Sequence, residues 1–426
     1  MRGSEVASPF AGLGAKFDRW SARALARITG SALAPYQSAV VRIGFAFTFT
    51  LFLIREWPNR HELYGPDSPW SFELAERLIA GNKAFTVLLW SDGRLWFELV
   101  YHAAIVAGAL LLVGWRTRTM SVLFMVGVLS LQNRSVFMGD GGDNVIHLMA
   151  IYLVLTRCGQ VWSLDARRLA GKAEPDTASD RTGIVLWALA GAALLIAQAT
   201  GFAELPWTDQ VGPVPVPGWG LFFWGLWLVH ALWWWACRRP STELRAVLDV
   251  FANLLHNGAM LVIAAEVCFI YATAGWYKIQ GSRWQDGTAL HYPLNLDYFA
   301  PWSLLSEVLG SSALMVMVIT YGTVIVQVAF PFTLFNRRVK NVLVAVMMAE
   351  HSAIAVVLGL PFFSLAMITA DAVFLPTGFL RWVGSRISAA GRGLARRLTR
   401  KSGTPGKEPA AASEPYIPPA REGART

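Results

Sequence analysis

The sequence predicts an all-α protein, a polytopic transmembrane helical bundle of about ten spans with both termini in the cytoplasm. Three observations lead there. Hydrophobic residues make up 54% of the 426 and charged ones only 15%, with a mean hydropathy of +0.42, a balance foreign to ordinary soluble domains. Stretches poor in charge recur between about residues 38 and 380, each near the ~20 residues that cross ~30 Å of hydrocarbon. The net charge of +9 gathers at the two ends and in alternate short connections, which is how cytoplasmic flanks are recognised. Inside a bilayer the backbone must satisfy its own polar groups, so helices are expected in one bundle.

Residues 1–37 read as a cytoplasmic amphipathic segment. Phe17, Trp20, Leu25 and Ile28 interleave with Arg19, Arg23 and Arg27, which suits a helix lying on the membrane surface and not a cleavable signal. Residues 38–380 form the transmembrane domain, with spans beginning near 38, 96, 119, 145, 183, 218, 254, 308, 341 and 361. Cytoplasmic connections hold Arg116 and Arg118; Arg167, Arg168, Lys172 and Arg181; Arg238, Arg239 and Arg245; Arg337, Arg338 and Lys340. The outer connection 203–217 has Glu204 and Asp209 but no basic residue, and the long outer connection 55–94 is expected to hold a short interfacial helix around 72–79. The hairpin 183–237 is dense in tryptophan (Trp219, Trp224, Trp227, Trp233, Trp234, Trp235) and reads as an aromatic belt with lipid-facing bulk. Residues 173–180 form a polar connector. Residues 381–426 are basic at first, through Arg381, Arg386, Arg392, Arg396, Arg397, Arg400 and Lys401, and are expected to be disordered over 403–426. Basic residues beside membrane spans meet anionic lipid, so nucleic acid is not an expected partner.

The polar chemistry collects in a few places. An apolar run, 261–274, opens into Gly275, Trp276, Tyr277 and Lys278, followed by Gly281, Trp284, Asp286 and Gly287. An amine at the edge of a low-dielectric medium is a candidate base; it is equally an interfacial lysine reaching the headgroups. Tyr271 stands seven residues earlier, on nearly the same helix face. A glycine-rich turn with Asp140, Asp143 and Asn144 is assigned to the same outer side as Lys278, either to bind or pair there or simply to cap the fourth helix. Glu266, Glu350, His351 and Asp371 fall near mid-membrane and Arg42 shallower, as a structural ion-pair network or as a functional path. The seven histidines show no zinc spacing, the three cysteines no disulfide framework, and no phosphate loop or nucleophile elbow is present. No metal site is expected, and ATP-driven transport and serine-type hydrolysis lose their basis.

Several of these pieces, in order, resemble a known family. They are Asn133-Arg134 through Gly139-Asp140-Gly141-Gly142-Asp143; Trp162-Ser163-Leu164-Asp165; Ala274-Gly275-Trp276-Tyr277-Lys278 with Trp284-Gln285-Asp286-Gly287-Thr288-Ala289; Thr320-Tyr321-Gly322 to Phe330-Pro331; and His351 followed by Gly359 and Phe363-Ser364-Leu365. Together they resemble the bacterial HTTM-domain membrane proteins, relatives of vitamin K-dependent gamma-glutamyl carboxylase, across about residues 38–377.

The resemblance implies a quinol-dependent oxygenase or epoxidase in a bacterial plasma membrane, working at the extracytoplasmic face. Lys278 matches the carboxylase's unprotonated lysine, which removes a proton from the reduced quinone. His351 resembles a histidine in a later helix of that enzyme. With Tyr321 it is expected to polarise or bind the quinol, beside Tyr271, Trp276 and Trp284, while Asp140, Asp143, Asn144 and Asp286 order the outer rim. Reduced menaquinone or vitamin K hydroquinone is the implied cofactor, with O2 and CO2 as co-reactants and membrane lipid, isoprenoid quinol and a peptide or protein substrate as partners. The sequence lacks a counterpart of the carboxylase's large lumenal region and carries the 183–237 hairpin as an apparent insertion, so glutamate carboxylation does not transfer intact. The alternative is a non-enzymatic transporter or a peptide maturation or export factor, with Glu266, His351 and Asp371 as a proton or ion path.

Overall fold

The computed structural model describes residues 11–170, 181–202, 218–238 and 242–402, all of them helical or in turns, with no strand among the described residues. The predicted connector 173–180, the acidic connection 203–217 and the tail 403–426 lie outside them. In chain order the α-helices are α1 (Ala11–Gly30), α2 (Pro35–Glu56), α3 (Arg60–Leu63), α4 (Phe72–Asn82), α5 (Arg94–Val113), α6 (Thr117–Arg134), α7 (Gly141–Val154), α8 (Leu164–Ala170) and α9 (Arg181–Ala199). There follow α10 (Trp219–Ala236), α11 (Thr242–Gln280), α12 (Ser282–Gln285), α13 (His291–Leu294), α14 (Ser303–Gly310), α15 (Ala313–Ala329), α16 (Arg337–Val357), α17 (Pro361–Asp371) and α18 (Thr377–Ser402). The chain divides into two units, Met1–Thr377 and Gly378–Thr426.

A helix stands at or beside each of the ten predicted span positions, but only six of the described helices are both long and apolar enough to cross a membrane by themselves. Those six contain α2, α5, α9, α11, α15 and α16. The others fall short for separate reasons. The 14 residues of α7 and the 11 of α17 are too few for ~30 Å at ~1.5 Å per residue. Helix α6 carries Arg118, Gln132, Asn133 and Arg134, and α10 spends much of its length on tryptophan. Boundaries moved too. The helix that holds the seventh predicted span begins earlier, at Thr242, and so contains the predicted start near 254, while the eighth helix begins at Ala313, not near 308, because Ser312 caps it by accepting from Met315 N. The expected interfacial helix at 72–79 is present as α4, capped by Ser71.

The core of the first unit is built around α2, which packs on α5, α7 and α17; α6 closes against α5 and α7, and α16 against α17. Phe45, Phe49, Leu53, Phe124, Met125, Leu111 and Met149 are all fully buried there. Close approach depends on small residues, as in membrane helix pairs: a Cβ on Gly44 of α2 would overlap Thr369 of α17.

Arg42, expected to pair with acids, does something else. Fully buried, it donates to the carbonyls of Leu111 (2.6 Å) and Leu112 (3.2 Å), at the open end of α5, and to Trp162 O (2.7 Å). Next to it Asp165 accepts from the backbone N–H groups of Arg116 (2.9 Å) and Thr117 (2.7 Å), capping α6. One cation and one anion thus complete the two helix ends of a single tight turn.

Helix α11 also grips the segment after α1. Asn257 donates to the carbonyls of Ile28 and Ser31 and accepts from Leu33 N; Asn253 donates to Thr29 O. The ring of His256 lies between Leu33 O (2.7 Å) and Arg157 N (2.8 Å). Because Arg157 N–H can only donate, Nδ1 accepts and Nε2 carries the proton. Along α1 itself Phe17, Trp20 and Leu25 remain exposed, as an amphipathic surface helix requires. In the second unit, described only as far as residue 402, Trp382 stacks on Phe379 and lies under the Arg386 guanidinium within α18.

Candidate functional site

The site grows from one face of α11. Tyr271 and Lys278 are seven residues apart, about two turns, and both look toward α15 and α16. Gly275 lies between them, and its missing side chain lets α15 come close: a Cβ there would sit 2.5 Å from Val328 Cγ2. This approach brings Gln327 of α15 to Lys278. The ammonium nitrogen donates to Gln327 Oε1, and Gln327 Nε2 donates to Glu350 Oε1 at 2.9 Å. Gln327 is 4% exposed, while Lys278 and Glu350 are half-buried. The indole ring of Trp284 lies 5.1 Å from the Lys278 nitrogen, a cation–π distance.

A second chain of hydrogen bonds begins at the neighbouring residue. Tyr271, His351 and Asp371 are 2%, 3% and 0% exposed. The Tyr271 hydroxyl donates to Asp371 Oδ1 at 2.9 Å and lies 2.9 Å from His351 Nε2. A hydroxyl has one proton to give. With that proton on the carboxylate side, Nε2–H must be the donor to the phenol oxygen, leaving Nδ1 bare. His351 Nδ1, Asp371 Oδ2 and the Ser364 hydroxyl are buried and have no hydrogen-bond partner among the described residues. Phe330 packs edge-on to Tyr271, and Phe363 edge-on to His351. Since Glu350 and His351 are consecutive, α16 joins an amine–amide–carboxylate chain to an imidazole–phenol–carboxylate chain.

Lys278, Trp284, Tyr271 and His351 therefore lie together. The other residues expected at the site make contacts of their own. Tyr321 donates its hydroxyl to Gln285 O at 2.7 Å, tying the segment after α11 to α15. Trp276, 61% exposed, points away, since two residues along a helix turn the side chain by about 200°. Asp286 accepts from Thr288 N and Oγ1 and pairs with Arg283, and the Thr288 hydrogen bonds hold its carboxyl below the usual range. Asp140 and Asp143 form a reciprocal capping box at the start of α7: Asp140 Oδ1 accepts from Gly142 N and Asp143 N, and Asp143 Oδ2 from Asp140 N. The exposed Asn144 gives its backbone N–H to Asp140 O. These acids build a helix start. Glu266 accepts from the Tyr152 hydroxyl at 3.5 Å.

Burial pushes the Asp143 carboxyl up to about 6. It lines a recess of about 380 Å³ with Gln132, Asn133 and His147, in which Gln132 bridges Asp143 O and His147 Nδ1. No group of three histidine, cysteine or acidic residues able to hold a metal occurs among the described residues.

Gln327 was invisible in the sequence reading, because an uncharged amide in an apolar run gives no charge signal; the available clue was its place in the run 320–331 that carries the family resemblance. No protein-family profile, curated protein or solved structure matches the chain.

Proposed function

We propose that the chain is an integral membrane enzyme of a bacterial plasma membrane in which Lys278 acts as a base on the hydroxyl of a reduced isoprenoid quinone. The observation that carries this reading is the partner of Lys278: a neutral amide, Gln327, and not a carboxylate. A lysine paired directly to a carboxylate gives up a proton reluctantly; one held by an amide oxygen keeps its orientation without that charge. The surroundings suit such a ligand. The amine stands beside the Trp284 ring at a helix end where Trp276, Tyr277 and Ile279 are exposed apolar surface. Trp284 would flank the quinone ring and Lys278 would take the hydroxyl proton. The quinol supplies an acidic hydroxyl and, with dioxygen, an oxidisable ring. Adjacent His351 and Tyr271 offer a buried hydrogen-bonded outlet behind the base. The proposal rests also on the resemblance of Ala274-Gly275-Trp276-Tyr277-Lys278 to the HTTM and carboxylase pattern, and it assigns no fixation of CO2 and no peptide substrate.

The test is direct. Purified protein is incubated with reduced menaquinone and dioxygen, and the quinone epoxide is sought by mass spectrometry. Product with the wild type and none with Lys278→Met or Lys278→Arg, at equal folded yield, is the expected outcome. Equal activity in all three proteins would remove the reading.

A second reading has one observation of its own, the unpartnered buried atoms of His351 and Asp371. Buried ionisable groups in a membrane bundle are a mark of ion paths. A transporter or export factor would then show proton-coupled flux in proteoliposomes whose pH dependence changes in Asp371→Asn; an unchanged profile counts against it.

A further inference from the structure

We propose that Gln327 is a positioning residue that holds Lys278 apart from Glu350, so that the amine does not close onto the carboxylate as an ion pair. The inference rests on Lys278 acting as a base, the reading given above. Three features of the geometry support it.

The first is orientation. A glutamine amide has one acceptor end and one donor end, and here both are committed: Oε1 to the amine of Lys278, Nε2 to Oε1 of Glu350. Turned over, the amide would aim its acceptor at the Glu350 carboxylate, so that neighbour fixes the orientation whether Lys278 is an ammonium or a free amine. The second is confinement. Gln327 is 4% exposed, and α15 is pressed onto α11 where Gly275 meets Val328, so the amide cannot swing out to water. The third is the flexibility of what it separates. Lysine is a point charge on a long flexible stem, and Glu350 extends toward it from α16. With nothing between them, the two would meet and form a direct bond in a poorly screened place.

The charged and titratable groups that bear on the amine are Glu350 and His351 from α16, with Tyr271 on α11 itself and Asp371 on α17 behind it. From α15 it receives only the neutral Gln327. A spacer that carried charge would defeat its purpose.

The experiment reads the amine itself, without any quinol. Full-length protein in detergent is treated with acetic anhydride across a pH series, and modification of Lys278 is quantified by peptide mass spectrometry against exposed lysines as internal standard. Gln327→Leu keeps most of the volume and removes both hydrogen bonds. Its Lys278 should acetylate at least tenfold more slowly at pH 7 than in the wild type, with the midpoint of the profile moved to higher pH. Adding Glu350→Gln to Gln327→Leu should restore the wild-type rate, which a purely structural role for Gln327 would not predict. Gln327→Glu, which places a carboxylate directly on the amine, should show the same loss and serves if the leucine variant folds poorly. Wild-type acetylation in both single variants, or failure of the double variant to recover, overturns the proposal. The two levels separate cleanly. Acetylation as expected without epoxide formation keeps the spacer and removes the quinol chemistry. Epoxide formation with acetylation indifferent to position 327 does the reverse.

Discussion

Trp187 and Trp227 each donate an indole N–H to the other's backbone carbonyl, at 3.2 and 2.9 Å, with ring centroids 4.0 Å apart and planes 13° from parallel. Indole has one donor and no acceptor, and a helix carbonyl retains a spare lone pair, so the two rings satisfy each other and tie α9 to α10. Gly191 leaves the room for this: a Cβ there would lie 2.9 Å from the Trp227 ring. From composition alone the tryptophans of this hairpin are belt and bulk. One pair of them is a clasp.

Trp227→Phe keeps a stacked ring but deletes one of the two cross-helix hydrogen bonds, and stability should fall by about 1 kcal/mol. Trp187→Phe should cost a similar amount. Thermal unfolding of the detergent-solubilised single and double variants measures both and their coupling; strict additivity would show that the two bonds act independently.

Arg42→Met leaves the buried carbonyls of Leu112 and Trp162 without their donor, while Leu111 O keeps the Gly114 N–H. The expected loss is about 3 kcal/mol or more, from unsatisfied buried acceptors at ~1–3 kcal/mol each. Arg42→Lys should recover only part of it, since a single ammonium cannot reproduce the planar fork that spans the end of α5 and residue 162. Folded yield by size exclusion, followed by thermal unfolding, distinguishes the two variants.

Gly275→Leu should force Val328 away and widen the gap between α11 and α15. Overpacking of this kind costs about 1–3 kcal/mol, but its larger effect should fall on the bond from Lys278 to Gln327. Quinol turnover should drop at least tenfold at unchanged folded yield, whereas Gly275→Ala, a smaller intrusion, should drop less. Turnover and melting temperature measured side by side test the order.

Asp143, in the turn ahead of the fourth predicted span, titrates at about 6 because burial disfavours its charge, against ~3.9 for a free aspartate. A raised folded-state value means that its contribution to stability is fully present below about pH 4 and is lost as pH rises through about 6. Asp143→Asn cannot ionise and retains an oxygen for Asp140 N, so its stability should vary less over that window and exceed that of the wild type at pH 7. Melting temperatures of both proteins between pH 4 and 7 check the sign; parallel curves would refute it.

The helical class was legible because long charge-poor apolar runs report directly on helices. The relation of Tyr271 to Lys278 was legible for the same kind of reason, a seven-residue spacing that keeps two side chains on one face. What escaped were interactions whose partners are backbone carbonyls or neutral amides. Arg42 suggested an acid as partner, yet it bonds three carbonyls. Asn253, His256 and Asn257 gave no signal, because the groups they hold belong to a segment more than two hundred residues earlier. Trp276 stands on another face of α11 than Lys278, a difference of helix phase that a motif string does not display. The acids at 140 and 143 were read correctly as turn formers in one of the two alternatives, and their capping box is that alternative.

One uninterrupted rod, α11, carries Lys278 near one end and, 22 residues away, the histidine that clips the amino-terminal arm in place. That separation is about 33 Å at 1.5 Å per residue. No break in this helix separates the clip at His256 from Lys278. A tilt imposed at His256 would move the amine at the far tip with it.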